Sequence, residues 1–273
     1  MGQAKLKQSA TQRFLAQYPD CCFCGGARQA TTREHMPPKA LFDSSHRPDK
    51  LVMPACRECN GGTSTSDLVA SVVSRWGYAT DPQRHADHSR LIGQVRRQAP
   101  GLISEWTKPI DRAKARQHLE DYGVRVPPDA GLATIGPLTI GQLNLFAHKV
   151  VLGLYFEHFH KLLSNTGRFC AFWRSKEDFA QAGVPTVLLE MMQRYGTLEQ
   201  GKWNVREVFE YRFEINEVDG LFACLARLRG ALFVCGFVAG DVNQIAEDED
   251  AEDWIQPSAL LSILTNPAFQ KRK

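Results

Sequence analysis

Two stretches decide the fold of this chain: Cys21-Cys22-Phe23-Cys24 and, after 31 intervening residues, Cys56-Arg57-Glu58-Cys59. A gap of two residues lets the sulfurs of a pair converge from one tight turn, and two such pairs supply the four thiolates that a tetrahedral zinc ion requires. In a reducing compartment this spacing is more typical of a metal site than of disulfides. We therefore predict a structural Zn²⁺ site formed by Cys21, Cys24, Cys56 and Cys59, with Cys22 as an alternative to Cys21.

Composition places the chain among ordinary globular proteins. Of its 273 residues, 43% are hydrophobic and 23% charged, which excludes disordered and fibrous classes and allows one to two domains. The longest apolar runs, 150–156 and 231–239, are far shorter than the ~20 residues that span a bilayer, and the N-terminus lacks the apolar segment of a secretory signal. We expect a cytoplasmic protein that does not enter a membrane.

Charge is distributed unevenly along the chain. Residues 1–119 carry 18 Lys and Arg against 10 Asp and Glu, whereas residues 120–273 carry 15 against 20. Contacts from Lys and Arg to phosphate supply most non-specific affinity for nucleic acid, so the basic half is where we expect DNA to bind. Residues 80–116 are rich in Arg and Lys; they form either a track along DNA or merely a solvated helical face.

The residues between and after the cysteine pairs carry a second pattern. Glu34-His35-Met36-Pro37-Pro38-Lys39 lies between the pairs, and Asn60 directly follows the second pair. The two cysteine pairs, with Glu34-His35 between them and Asn60 after them, occur in the order found in the zinc-bearing HNH endonucleases, which residues 19–78 therefore resemble. The resemblance implies a zinc-stapled, treble-clef-like ββα-metal module and hydrolysis of phosphodiester bonds in DNA.

The resemblance also implies roles for single residues. His35 matches the general base, while Glu34 and Asn60 match the ligands of a catalytic Mg²⁺ or Mn²⁺ ion. Asp67 follows Asn60 on the same helical face and is a weak candidate ligand, and the alternative, a first-turn acid favoured by the helix dipole, is the one that we favour. Adjacent residues of a strand point to opposite faces, so a site shared by Glu34 and His35 requires a bend, which Pro37-Pro38 favours. Weaker candidates for nucleic-acid contacts are Arg33, Lys39 and Arg57.

Two departures from the family pattern leave another function open. The middle Asn, expected about five residues before Cys56, is missing from Asp49 to Ala55, and Gly61-Gly62-Thr63-Ser64 replaces the Lys that often follows Asn60. The alternative is a zinc-stabilised module that binds nucleic acid or protein without catalysis. A further hypothesis is an effector nuclease of phage defence, restrained by its C-terminal domain.

The rest of the chain predicts an α+β architecture in three parts. We expect the HNH-like module in residues 1–80, a basic helical segment and linker in 81–130, and an α+β domain in 131–273. That last domain is predicted to contain a helix over 139–163, a capping box at Ser175 and Asp178, and a three-stranded antiparallel meander from 208 to 238. No catalytic motif occurs there, so we expect it to bind a protein partner or a small ligand, or to restrain the nuclease.

Overall fold

The computed structural model describes residues 9–42, 47–76, 82–126, 131–183, 186–200, 203–245 and 253–266. It has an α+β architecture, as the sequence predicts: a two-stranded hairpin with helices near the N-terminus, a long central helix, and a five-stranded antiparallel sheet in the second half. No helix within these ranges is both long enough and apolar enough to cross a membrane.

The N-terminal part is a short hairpin followed by two helices. Helix α1 (Ala10–Gln17) precedes a 3-10 turn at Cys22–Cys24 and strand β1 (Thr32–His35). Strand β2 (Val52–Ala55) pairs antiparallel with β1, and helices α2 (Arg57–Gly62) and α3 (Ser64–Val73) follow directly. The 3-10 turn before the hairpin thus carries the first cysteine pair, and the start of α2 after the hairpin carries the second.

Three helices form the basic segment: α4 (Pro82–Gln98), α5 (Pro100–Trp106) and α6 (Arg112–Asp121). Trp106 lies among the basic residues in sequence, but its ring is buried and its indole N–H donates to Thr139 Oγ1 at 2.7 Å. It is therefore a core residue of the segment rather than a stacking platform for bases.

Helix α7 (Pro137–Phe159) is the central element of the molecule, close to the predicted 139–163. Its first turn is capped by the Glu105 carboxylate of α5, which accepts hydrogen bonds from the backbone N–H groups of Leu138 and Thr139, both at 2.9 Å. Most of its length is buried all around, because it packs against α3 and the cysteine turn on one side and against the sheet on the other.

The sheet has the strand order β3 (Arg168–Ser175), β9 (Leu232–Ala239), β8 (Leu221–Leu228), β7 (Phe209–Asn216) and β4 (Arg194–Thr197). The predicted meander is confirmed as β7, β8 and β9, and the sheet is larger than expected. Strands β3 and β4 extend it on either side.

The remaining elements are short. The capping box at Ser175 and Asp178 is present and starts α8 (Lys176–Ala182), which packs against β3. The others are α9 (Thr186–Met191), the paired strands β5 (Glu199–Gln200) and β6 (Trp203–Asn204), and α10 (Ser258–Thr265), which packs against α2 and the cysteine turn.

One hydrophobic core runs from the cysteine turn to the sheet. It includes Phe23 and Met53 of the N-terminal part, Phe146 of α7 and Val234 of β9. The predicted boundaries at 80 and 130 are thus crossed by continuous packing, and most of the predicted linker, residues 127–130, lies outside the described residues.

Candidate functional site

Four cysteine sulfurs meet at the N-terminal end of α2. The Sγ atoms of Cys21, Cys24, Cys56 and Cys59 all lie within 4.8 Å of one another, and all four residues are buried. Hydrogen bonds from the other three thiols hold the pKa of Cys21 well below its usual range, which favours a thiolate. This arrangement can hold a metal ion such as zinc, as the spacing predicts.

Local backbone conformation accounts for the convergence of the sulfurs. Gly25 and Gly26 both have positive φ, at 60° and 79°, which turns the chain sharply after the first pair. On the second pair, Cys56 caps α2, and its sulfur accepts a hydrogen bond from Cys59 N at 3.3 Å. Cys22 is buried beside this group but is not part of it, so the alternative ligand set is not the one formed.

The two central residues of the motif lie on opposite faces of β1. Glu34 pairs with Met53 and His35 with Val52 in a regular antiparallel register, so the bend that a shared site requires does not occur before His35. Glu34 is buried, whereas the His35 side chain is 30% exposed. The hairpin therefore has an outer face, which carries His35, and an inner face, which carries Glu34.

On the outer face, His35 is paired with a carboxylate. Its Nε2 lies 3.1 Å from Asp49 Oδ1, and Arg33, on the same face of the strand, places Nη2 3.8 Å from that oxygen. The hydrogen bond with His35, followed by the charge of Arg33, holds the pKa of Asp49 below its usual value. Asp49 is therefore a carboxylate that can orient the His35 ring.

On the inner face, Glu34 is held by a lysine that lies 115 residues further along the chain. Lys149 of α7 donates from Nζ to Glu34 Oε1 and to Asp67 Oδ2, both at 2.7 Å. Burial alone would lower the pKa of Lys149, but the two carboxylates raise it above its usual value. Burial raises the pKa of Asp67 to about 6, against the opposing effect of Lys149. The structure thus brings Glu34 and Asp67 together, as predicted, but around an ammonium group.

Asn60 lies at the junction of α2 and β1. Its Nδ2 donates to Thr32 Oγ1 at 2.9 Å, and Thr32 is on the same face of β1 as Glu34. Asn60 therefore ties the helix to the inner face, away from His35.

The basic candidates differ in exposure. Lys39 and Arg57 are exposed and available to a phosphate, while Arg33 is partly buried beside Asp49. Arg47 is instead structural, because its guanidinium donates to the carbonyls of Met36 and Pro37, both at 2.7 Å. Burial lowers its pKa to about 10.

The predicted divalent-ion site does not fit these contacts. A catalytic Mg²⁺ or Mn²⁺ requires hard oxygen ligands close to the base that it serves. Here Glu34 is bound by Lys149, Asn60 is bonded to Thr32, and both lie on the face opposite His35.

The roles of Asp49, Arg47 and Lys149 were not predicted from the sequence. Asp49 and Arg47 carry no distinctive local pattern. For Lys149 a signal existed: it is a lone charge in the otherwise apolar stretch 145–156 of a predicted helix. Such a lysine, when buried, needs a carboxylate partner.

A cavity lies on the face of the sheet that is turned away from α7. Its volume is about 580 Å³, within the range of small-molecule sites, and its lining includes Phe172, Ala223 and Phe237. The predicted ligand or partner of residues 131–273 remains a prediction, for which this cavity offers a location.

Comparison of the chain with family models, with curated proteins and with solved structures gives no match. The likeness to HNH endonucleases therefore rests on the sequence motif of residues 19–78 alone.

Proposed function

We propose that this chain is an HNH-type endonuclease that hydrolyses phosphodiester bonds of DNA, with His35 as the general base. The observation that carries the proposal is the His35–Asp49 pair at 3.1 Å on the outer face of a hairpin flanked by the four-cysteine site. In this proposal zinc is the ion bound by the cysteines, and its role is to hold the hairpin against α2.

The chemistry assigned to the outer face is proton transfer. His35 is partly exposed, and an imidazole ring can act as a general base, so it can activate a water molecule for attack on phosphorus. Asp49 orients the ring, in the way that a third group orients the base of other hydrolases. Arg33, on the same face, offers a guanidinium to the phosphate, and the exposed Lys39 and Arg57 offer further charge to the DNA backbone.

No step of the proposed reaction passes through an ion at Glu34 and Asn60, because these residues face the interior and are bonded elsewhere. A divalent ion that served His35 would need ligands on the outer face, where Asp49 provides a carboxylate that is 71% exposed.

A second candidate function is a zinc-stabilised module that binds nucleic acid without cutting it. The observation that favours it is the separation of Glu34 from His35 on opposite faces of β1, which divides the residues of the family motif. Binding through Lys39, Arg57 and Arg33 would not require that these residues converge.

Cleavage of supercoiled plasmid separates the two candidates. Wild type is compared with His35→Ala and with His118→Ala, a matched control because His118 is exposed on α6, in Mg²⁺, in Mn²⁺ and without added ion. Zinc content is measured in each protein. We expect His35→Ala to lower the cleavage rate by about 10²–10⁴-fold with zinc retained, while His118→Ala cuts as wild type does.

Two results contradict the nuclease proposal. Cleavage by His35→Ala at the wild-type rate would show that His35 is not the base. Retention of DNA on a gel shift without cleavage under any of the three conditions would favour the binding module.

A further inference from the structure

Glu34, Asp67 and Lys149 form a closed cluster of charges in the interior, which we call the inner triad. Lys149 is 0% exposed, and the side chains of Glu34 and Asp67 are only 10% and 12% exposed. Both contacts are 2.7 Å long, as expected for hydrogen bonds between an ammonium group and carboxylates. The three residues come from α7, β1 and α3, so the triad is assembled only when these elements pack together.

The ammonium of Lys149 lies where a bridging cation would have to bind. A metal ion shared by Glu34 and Asp67 would occupy the space between their oxygens, and Nζ already contacts one oxygen of each. Mg²⁺ also needs near-octahedral coordination at about 2.0–2.1 Å and normally keeps several waters. A second cation beside the ammonium would face like-charge repulsion in a medium of low dielectric constant.

Lys149 has no path away from the carboxylates in this fold. Its neighbours Val150 and Val151 are fully buried, and the ring of Phe23 lies 5.9 Å from Nζ on the side of the cysteine turn. A second polar contact between the same helices, from Ser66 Oγ to Gln142 Oε1 at 2.7 Å, fixes α3 against α7. Withdrawal of the lysine would require α7 to leave the core.

We propose that Lys149 permanently replaces a divalent cation at the inner triad, so that Glu34 and Asp67 bind the ammonium group of this chain instead of Mg²⁺ or Mn²⁺. This inference builds on the proposed function, since the family likeness is what assigns an ion to Glu34. The test of this inference measures ion binding rather than cleavage. The inference and the proposed function can therefore fail independently.

The test measures the binding of Mn²⁺ to the full chain loaded with zinc, and electron paramagnetic resonance quantifies the free ion. Glu34→Gln is compared with wild type and with Glu58→Gln, a control that removes an exposed acid of α2. We expect all three proteins to bind Mn²⁺ with the same affinity. A Mn²⁺ affinity lowered about 10-fold or more in Glu34→Gln alone, with zinc retained, would overturn the proposal.

A second measurement needs no variant and therefore does not depend on how well a substituted chain folds. Mn²⁺ broadens the amide resonances of nearby residues in the wild-type NMR spectrum. We expect any broadening to be centred away from Glu34 and Asp67. Broadening centred on these two residues would show that the ion binds at the triad and would overturn the proposal.

Substitution of the lysine gives the converse result. Lys149→Met keeps a long side chain but leaves two buried carboxylates without a counter-ion, so we expect its melting temperature to fall and Mn²⁺ to restore part of the loss. Wild type should gain nothing from Mn²⁺. A folded Lys149→Met protein with an unchanged melting temperature would contradict the role assigned to the ammonium.

Discussion

The pairing of His35 with Asp49 makes a prediction for a single carboxylate. We expect Asp49→Asn to lower the rate of DNA cleavage by roughly 10-fold, because the neutral amide orients the ring less firmly. The effect should be smaller than that of His35→Ala, since Asp49 is 71% exposed and water can take its place. The measurement is plasmid cleavage with zinc content as the control for folding. A wild-type rate in Asp49→Asn, with His35→Ala inactive, would leave His35 as a base without an orienting group.

His148 makes stability depend on pH. Its ring packs edge-on against Phe169, with centroids 5.3 Å apart, and burial lowers its pKa to about 4. In the unfolded chain the pKa is about 6.5, so below that pH the unfolded state takes up a proton that the folded state does not. The folded state therefore loses stability as pH falls from about 6.5 to about 4.

Urea unfolding at pH 7 and pH 5 measures this effect. Between pH 7 and pH 5 the free energy of unfolding should fall by about 1–2 kcal/mol more for wild type than for His148→Leu, because the variant has no ring to protonate. Loss of zinc at the lower pH affects both proteins and cancels in the comparison. Equal losses in the two proteins would show that the folded state protonates the His148 ring as readily as the unfolded chain does, and would contradict the lowered pKa.

At the scale of elements, α7 lies very close to the sheet at Gly236 of β9. A Cβ atom there would lie 2.1 Å from Val151 Cγ2. We expect Gly236→Ala to reduce the free energy of unfolding by roughly 1–3 kcal/mol, as overpacking of a core does. The double variant with Val151→Ala should recover part of this loss, because the clashing methyl groups are removed.

A glycine of α7 without close neighbours is the matched control. No atom lies within 4 Å of a Cβ built on Gly141, which is in the same helix. Gly141→Ala should therefore stabilise the protein by about 0.5–1 kcal/mol. Denaturant unfolding of these three variants and of wild type tests both predictions, and a Gly236→Ala variant as stable as Gly141→Ala would contradict the close approach.

Elements with a local pattern were predictable from the sequence. The cysteine spacing predicted the four-sulfur site, and the alternation of apolar residues predicted the meander of β7, β8 and β9. Ser175 with Asp178 predicted the start of α8. Each of these signals involves residues close in sequence, or a geometry that one metal ion imposes.

Features that depend on packing between distant segments could not be derived in this way. The sides that Glu34 and His35 face follow from the register of β1 with β2, which no residue of the motif fixes by itself. The partner of Glu34 lies on a helix that was predicted within another domain. Lys149 could be recognised in the sequence as a charge within an apolar helix. Its two partners could not be predicted, because these acids lie in different elements that meet only in the folded chain.

At the scale of the whole molecule, the N-terminal module depends on the second half of the chain. The inner triad and the packing of α7 against α3 both require residues beyond 130. We predict that residues 1–130 expressed alone will not reach the native state, because Glu34 and Asp67 would lack Lys149 and the core would lack α7. Limited proteolysis and zinc content, compared with the full chain, measure this. A protease-resistant fragment that binds zinc as the full chain does would show that the module is autonomous.

The packing of α10 against α2 and the cysteine turn has a consequence for synthesis on the ribosome. The four cysteines are synthesised long before α10, whose Leu264 lies beside Gly62 and whose preceding Pro257 lies beside Gly25. Contacts between segments far apart in sequence form slowly, and only once the later segment has been made. The thiols of the nascent protein are thus open to oxidants and to competing metals until α10 has been made and has packed against the turn that carries them.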